Sequence, residues 1–340
     1  MVRYRDGSTA DLWSNDQLTT VALPDRSAGR KLNAEATHVA VVVVGFGNCE
    51  DILRCLSALA LSTYDNFEIV ICENGGERAR QELMRRAPSH LPSGQPLRLV
   101  SDGRNLGFAG GVNACLGATG EADAWWLLNP DTEPSPEAMG RMVQRLSLGD
   151  CDAVGSALVW PDGRVQTYGG IWQAWLARAV GIGSDGRLRT DHGEIEGRLG
   201  YLSGASMIIG RRFLQCVGPM REDYFLYCEE AEWCLRAKEK RMHLGSAPDA
   251  IVTHHLGTTT GNNVDPRRRS RLSTYLLERN GLLLTRDLFP SLLPVAAVAS
   301  LAILCLKYGR SGAWRQLGHG FAGWLAGLLN QRGSPKWLMA

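Results

Sequence analysis

Two kinds of pattern alternate along the first half of the chain. Short, continuously apolar runs end in Gly, Asn or Pro, and each is followed by a segment whose apolar positions recur every three or four residues. Val39-Ala40-Val41-Val42-Val43-Val44 is apolar throughout and rich in β-branched residues, which predicts a strand buried on both faces. Gly45-Phe46-Gly47-Asn48 then turns into a helix with Ile52, Leu53, Leu56, Leu59 and Ala60 at helical spacing. Asn66-Phe67-Glu68-Ile69-Val70-Ile71-Cys72 predicts a second strand, ending in Glu73-Asn74-Gly75-Gly76 before a helix over 77–87. Leu97-Arg98-Leu99-Val100 is a third, shorter strand, and the run from Arg104 to Asn113 enters a helix. Ala124-Trp125-Trp126-Leu127-Leu128 is the fourth strand, which Pro130 must stop because it cannot donate to a central ladder. An amphipathic helix through Met139, Met142, Val143 and Leu146 follows. Strand and helix thus alternate four times, which predicts a doubly wound α/β half with right-handed crossovers and ligands at the carboxyl edge of the strands.

Beyond residue 150 the pattern loosens. Residues 152–160 predict a strand, Pro161-Asp162-Gly163 a turn, and 181–197 a polar loop. Residues 201–209 predict another strand, with Ser203-Gly204-Ala205 leaving room for close approach. A short helix over 211–217 precedes a helix carrying Glu229, Glu230 and Glu232, and residues 251–255 form a late strand ending in His254 and His255. Leu288 to Leu306 holds no charged residue, but Pro290 and Pro294 interrupt it early, which makes it short and broken for a spanning helix. Residues 1–37 lack any period and read as a mobile or loosely docked arm. The expected organisation is therefore an arm over 1–37, an α/β domain over 38–265 and a helical C-terminal region over 266–340.

Composition narrows the class. With 340 residues and 44% apolar content a full core is available, and a net charge of +2 argues against a nucleic-acid partner. Nine cysteines without a Cys-x-x-Cys pair suggest neither a zinc site nor a disulfide framework and fit a reducing cytoplasm. Met1 to Ala36 contains no apolar signal-peptide core. From Arg267 to Arg315 nine Lys and Arg face only Glu278 and Asp287, with Trp314 and Trp324 close by. Basic residues around an apolar helix suit the headgroup region of an anionic membrane, and dimerisation through the same helices is compatible with that reading.

Candidate chemistry gathers at the predicted strand ends. Asp131, just past the fourth strand, either joins a Mg²⁺ or Mn²⁺ ion to a phosphate or caps a helix beginning near Ser135. Glu73 either accepts from a pyrimidine N–H or caps the following helix. Gly107, Gly110 and Gly111 either open helix N–H groups to a pyrophosphate or meet the needs of a tight loop. Gly45-x-Gly47 is no dinucleotide fingerprint, since Glu50 stands at the third glycine position. The crowded acids Glu229, Glu230 and Glu232 either raise one another's pKa toward a base or complement the helix dipole. Of His254 and His255, adjacent on a strand, only one faces any given site.

These blocks, in this order, resemble glycosyltransferase family 2 and its rhamnosyltransferase-like branch over about residues 38–285. The resemblance rests on Val41-Val42-Val43-Val44 with Asn48; Val70-Ile71-Cys72-Glu73-Asn74; Asn105-Leu106-Gly107-Phe108-Ala109-Gly110-Gly111; Leu128-Asn129-Pro130-Asp131; Leu202-Ser203-Gly204-Ala205; Tyr227-Cys228-Glu229-Glu230; the segment from Pro248 to His254; and Tyr275 with Arg279-Asn280. It implies a GT-A fold and inverting transfer from a nucleotide diphosphate-sugar, dTDP-rhamnose in this branch, to a lipid-linked or polysaccharide acceptor at the inner membrane face. It implies a nucleotide-sugar site at Gly45, Phe46, Glu73, Asn105, Gly107, Asn129, Asp131, Ser203 and Gly204, and a Mg²⁺ or Mn²⁺ site at Asp131 and His254. The general base falls on Glu230, with Glu229 as the second choice, because the family usually carries Asp at the positions of Glu73 and Glu230. A UDP-hexose donor, a non-catalytic nucleotide-sugar-binding subunit and a nucleotidyltransferase are the competing readings. The last lacks the cationic loop it would need after the first strand.

Overall fold

The computed structural model describes residues 2–3, 9–10, 33–101, 103–255 and 265–338. Most of the expected N-terminal arm lies outside these residues. Within it, Val2–Arg3 and Thr9–Ala10 pair as an antiparallel ribbon. Residues 33–37 are docked, with the Tyr64 hydroxyl donating to Ala34 O and the Asn66 amide to Ala36 O.

Beyond that ribbon the described residues form eleven strands: β1 (Val39–Gly45), β2 (Phe67–Glu73), β3 (Leu97–Leu99), β4 (Ala124–Leu128), β5 (Thr132–Pro134), β6 (Ala153–Val159), β7 (Val165–Thr167), β8 (Gly170–Gln173), β9 (Arg178–Gly181), β10 (Ser206–Gly210) and β11 (Leu244–His254). The main sheet runs β3-β2-β1-β4-β10-β6-β11-β5, with β7 also paired to β6, while β8 and β9 form a separate hairpin. The helices are α1 (Cys49–Leu59), α2 (Glu77–Arg86), α3 (Gly107–Ala118), α4 (Ala138–Ser147), α5 (His192–Glu196), α6 (Arg211–Val217), α7 (Glu229–Glu239), α8 (Arg271–Leu288), α9 (Leu293–Arg310) and α10 (Trp314–Leu328).

The first four sheet strands are parallel to one another, as their buried apolar runs predict. Alternation then sorts their side chains between two cores. Val42, Val70, Trp125 and Leu127 pack with Val112 of α3 and Trp233 of α7. Val41, Ile69, Trp126 and Leu128 pack with Ile52 of α1 and Met142 of α4. Both indoles are buried without an orphaned donor, Trp125 Nε1 reaching Thr119 Oγ1 at 2.9 Å and Trp126 Nε1 reaching Ser206 Oγ at 3.0 Å.

β10 runs antiparallel between β4 and β6. Its amino end therefore lies beside the carboxyl end of β4, with Ser206 opposite Leu128. The expected strand over 201–209 shrinks to β10, and Ser203-Gly204-Ala205 becomes a turn at the ligand-facing edge. The late strand begins earlier than expected, at Leu244, because a register shift between Ala247 and Ile251 absorbs Pro248. The 181–197 loop contains α5, whose N-cap Asp191 accepts from Gly193 and Glu194 amides.

The C-terminal helices are present, and the prolines sit differently than expected. Pro290 opens a 3-10 turn and Pro294 lies in the first turn of α9, where a missing N–H costs nothing. By length and composition Pro290–Arg310 is therefore one uninterrupted segment able to cross a membrane. One face of α9 is occupied by protein, with Ala296, Ala297, Ser300, Leu304 and Tyr308 buried. α8 is buried almost all round, from Ser273 to Thr285.

Candidate active site

The site begins where β4 stops. Asn129 N donates to Ala205 O at 3.0 Å, tying the Asn129-Pro130-Asp131 turn to the small-residue turn before β10. The chain then enters β5, which pairs antiparallel with the end of β11 and sets Thr132 opposite His254. That strand intervenes before α4, whose N-cap is Glu137, so Asp131 does not cap the helix. Asp131 and His254 are both 5% exposed, and His254 Nε2 lies 3.4 Å from Asp131 Oδ1. Gln166 of β7, placed with its amide oxygen toward the ring, accepts from His254 Nδ1 at 2.7 Å. A donor at Nδ1 in that bond turns Nε2 toward the Asp131 side. His255, on the opposite face, bonds Glu133 at 2.7 Å.

Asn129, Asp131, Gln166, Ala205 and His254 line a cavity of about 580 Å³, a size suited to a small-molecule ligand. Of the residues expected at the site, Gly45, Phe46, Asn105, Gly107, Asn129, Asp131, Ser203, Gly204, Glu229, Glu230 and His254 all line it. Glu73 is not part of the lining. It is buried beneath the β1–α1 turn, where Oε1 accepts from the amides of Gly47 (2.8 Å) and Gly75 (2.6 Å). A Cβ at Gly45 would stand 2.6 Å from Glu73 Oε2, so glycine there makes room for the carboxylate.

The glycine turn before α3 resolves toward the tight-loop reading. Gly107 has φ +73°, and a Cβ on it would lie 2.3 Å from Phe225 O. Its amide donates to Asn105 Oδ1 and that of Phe108 to Phe225 O, so neither is directed at a ligand. Asn74 completes the turn, donating to Gly107 O at 2.7 Å and accepting from Leu106 N at 3.3 Å.

The three acids of α7 separate by role. Glu232 is held by Arg236 through two contacts of 2.8 and 3.1 Å. Glu229 and Glu230 open the helix and line the cavity. Burial, and then the charge of Glu230, hold the Glu229 carboxyl well above the ordinary range. Burial also raises Glu230, opposed by its own amide and that of Ala231. Glu229 is buried and Glu230 only partly so, and a charge on either carboxyl disfavours a charge on the other. Glu229 Oε2 and Gln166 Nε2 are buried without a hydrogen-bond partner among the described residues, as expected for groups that await a polar ligand.

The residues most easily missed in the sequence are Gln166, Thr167, Phe225, Ser270 and Leu272, which also line the cavity. The Pro161-Asp162-Gly163 turn held one usable signal: a hairpin there returns a strand beside β6, and Gln166 lies on it. Nothing local marks Ser270 and Leu272, which arrive from the C-terminal helices.

A divalent cation fits the donors present. A carboxylate oxygen and an imidazole nitrogen share one wall, and among the described residues no cluster of three or more His, Cys, Asp or Glu forms a full protein cage. A set this sparse suits Mg²⁺ or Mn²⁺ completed by diphosphate oxygens and water.

Comparison with known proteins agrees with this geometry. The model of the family described as Glycosyl transferase family 2 matches residues 40–217, more than half of the chain. An uncharacterized protein of Sinorhizobium fredii is 25% identical over 250 residues, which are 70% of this chain and 26% of that protein, so the chain spans about a quarter of its length. The N-acetylglucosaminyl-diphospho-decaprenol L-rhamnosyltransferase of Mycobacterium tuberculosis is 24% identical over 254 residues, 66% of this chain and 78% of that one. The low-salt glycan biosynthesis hexosyltransferase Agl10 of Haloferax volcanii is 21% identical over 276 residues, 78% and 81% of the two chains. Among solved structures, the mannosyltransferase PcManGT of Pyrobaculum calidifontis, in complex with GDP-Man and Mn²⁺, superposes with a TM-score of 0.53 at 14% identity, covering 87% of this chain and 89% of that one. At that identity the likeness establishes the GT-A-like fold alone.

Proposed function

The chain belongs to glycosyl transferase family 2, and from that premise we propose that it moves rhamnose from dTDP-rhamnose, with inversion and with Mg²⁺ or Mn²⁺, onto a lipid-linked glycan acceptor. Glycosyl transfer in glycan synthesis follows from the family and its relatives. The observation that carries the finer reading is the meeting, in one cavity, of an Asp131–His254 pair with two carboxyls of raised pKa. The sugar and the acceptor class are supported by the mycobacterial relative, whose name joins rhamnose to a polyprenyl diphosphate.

Asp131 and His254 would hold the cation, which when bound disperses the charge developing on the leaving diphosphate. Gln166 keeps the His254 ring in the tautomer that presents Nε2. Glu230, ionised while Glu229 stays protonated, accepts the proton of the acceptor hydroxyl. The hydroxyl oxygen forms its bond to the anomeric carbon as the bond to the diphosphate breaks on the opposite face. Phe108, Phe225 and Leu226 line the cavity with apolar surface that excludes competing water.

The acceptor's lipid is met at the C-terminal helices. Val295, Val298 and Leu306 of α9, Phe321 and Leu325 of α10 and Leu329 after it are exposed apolar side chains, and Lys307, Arg310 and Arg315 stand between them in the sequence. With its other face packed on the protein, α9 is suited to lie in the headgroup layer on the cytoplasmic side of an anionic membrane rather than to cross it.

A screen of dTDP-, UDP- and GDP-sugars with Mn²⁺ tests the reading. Transfer from dTDP-rhamnose is expected, and transfer from a UDP-hexose alone would move the donor. Glu230→Gln is expected to lower kcat about 10²- to 10⁴-fold with nucleotide affinity retained. Metal-dependent nucleotide binding with no transfer from any donor would favour the non-catalytic subunit instead. Cosedimentation with phosphatidylglycerol vesicles tests these exposed side chains. A dimer that ignores vesicles would reassign them to self-association.

A further inference from the structure

The segment leading into α7 is unusual. Phe225, Tyr227 and Cys228 have φ of 69°, 71° and 71°, a left-handed backbone that residues bearing a Cβ seldom adopt. Such a conformation persists only where the surroundings over-determine it. The groups that do so come from α8, more than fifty residues later. Asn280 is fully buried, and its Nδ2 lies 3.0, 2.8 and 2.8 Å from the carbonyl oxygens of Tyr224, Leu226 and Tyr227. Arg279, 1% exposed, donates from Nη2 to Tyr224 O at 2.9 Å. Its Nε donates to Asn280 Oδ1 at 2.8 Å, which turns the amide so that Nδ2 faces the loop, and Nη1 donates to Gly333 O at 2.7 Å. Neither residue lines the cavity, whereas Phe225, Leu226, Tyr227, Glu229 and Glu230 all do.

We propose that Arg279 and Asn280 are positioning residues: their buried donors hold Phe225, Tyr227 and Cys228 in the left-handed region and so set where Glu229 and Glu230 enter the cavity. The inference rests on the reading of Glu230 as the base. Its physical content is leverage. Glu229 and Glu230 are the first two residues of α7, directly after the αL residue Cys228, while Trp233 and Ala237 anchor the rest of the helix in the core. Release of the three carbonyls lets the segment relax toward ordinary φ values. That displaces the first turn of α7 and leaves the remainder in place. α8 in this sense supports the catalytic apparatus through two residues that do not line the cavity.

The test uses Asn280→Ala and Arg279→Lys in the full chain, with three readouts: steady-state kinetics, nucleotide affinity with Mn²⁺, and hydrogen exchange over 224–230. Asn280→Ala is expected to lower kcat by about tenfold or more, since small misplacements of a reacting group are costly. Donor KM and nucleotide affinity stay within about threefold. The acidic limb of the kcat–pH profile moves, and exchange over 224–230 rises while β1 to β4 keep their protection. Arg279→Lys keeps a charge but loses the bond to Asn280 Oδ1, and is expected to fall between Asn280→Ala and the parent chain. It carries the test if Asn280→Ala does not fold. Parent-like kcat and parent-like exchange over 224–230 would overturn the proposal, as would a fall in kcat matched by equal loss of nucleotide affinity. If the parent chain transfers no sugar, the reading of Glu230 fails, and the exchange measurement still decides whether the pair holds the segment.

Discussion

The cavity is approached by two acidic centres, and they are made in different ways. Asp131 stands at the end of a central strand, placed by backbone ladders: β4 stops, β5 pairs with β11, and the register brings His254 beside it. Glu229 and Glu230 stand at the start of a helix, placed by a left-handed loop that side chains from α8 hold by its carbonyls. Their electrostatics differ as well. Asp131 faces an imidazole, whereas Glu229 feels the charge of another carboxyl and has one oxygen unpaired among the described residues. On the proposed reading, neighbours, not residue type, separate a cation-holding acid from a proton-handling one. The ladder-built centre is expected to tolerate changes at a distance, and the loop-built one to be sensitive to them.

The sharpest way to break the comparison is to remove Asp131. Asp131→Ala leaves His254 as a lone donor, and kcat/KM is expected to fall by about 10³-fold or more. Calorimetry of nucleotide binding with and without Mn²⁺ should then show no metal-dependent gain. Turnover within tenfold of the parent would detach Asp131 from the chemistry.

A smaller effect is expected one contact further out. Gln166→Leu removes the acceptor from His254 Nδ1 and frees the ring tautomer. Partners of this kind are worth about 10- to 100-fold in metal affinity, so the Mn²⁺ dependence of the rate should shift to higher concentration with kcat largely recovered at saturation. An unchanged Mn²⁺ titration would mean that the ring is oriented by other contacts.

The smallest effect sharpens the other half of the comparison. The Glu229 carboxyl is raised, so the folded chain holds this proton more tightly than the unfolded chain does. Its stabilising contribution is complete below the ordinary carboxyl pKa and is lost as pH rises through the folded value. Glu229→Gln cannot ionise and escapes that loss. Its Tm advantage over the parent chain should therefore widen from pH 5 to pH 8, and the acidic limb of the kcat profile should stay in place, because Glu229 is already uncharged where Glu230 titrates. A Tm difference independent of pH would contradict this account.

The parallel half of the sheet and its edge were legible in the linear pattern, because apolar runs, turn residues and helical periods are local signals. Those signals located Asp131, Gly107 and Gly45 at strand and helix ends, and strand alternation required that only one of His254 and His255 face the site. Four matters were decided only by the tertiary structure. Ser203 and Gly204 reach the same edge because β10 runs against its neighbours, and direction is a property of pairing, not of one strand's composition. Gln166 reaches His254 because a hairpin folds back on β6. Glu73 is drawn under the turn by amides of Gly47 and Gly75 that no spacing rule reveals. The left-handed entry to α7 is stabilised by Arg279 and Asn280, residues more than fifty positions away. Local propensity fixes which segments become strands and helices; contacts across long loops determine which polar atoms meet, since such contacts leave no periodic trace in the chain.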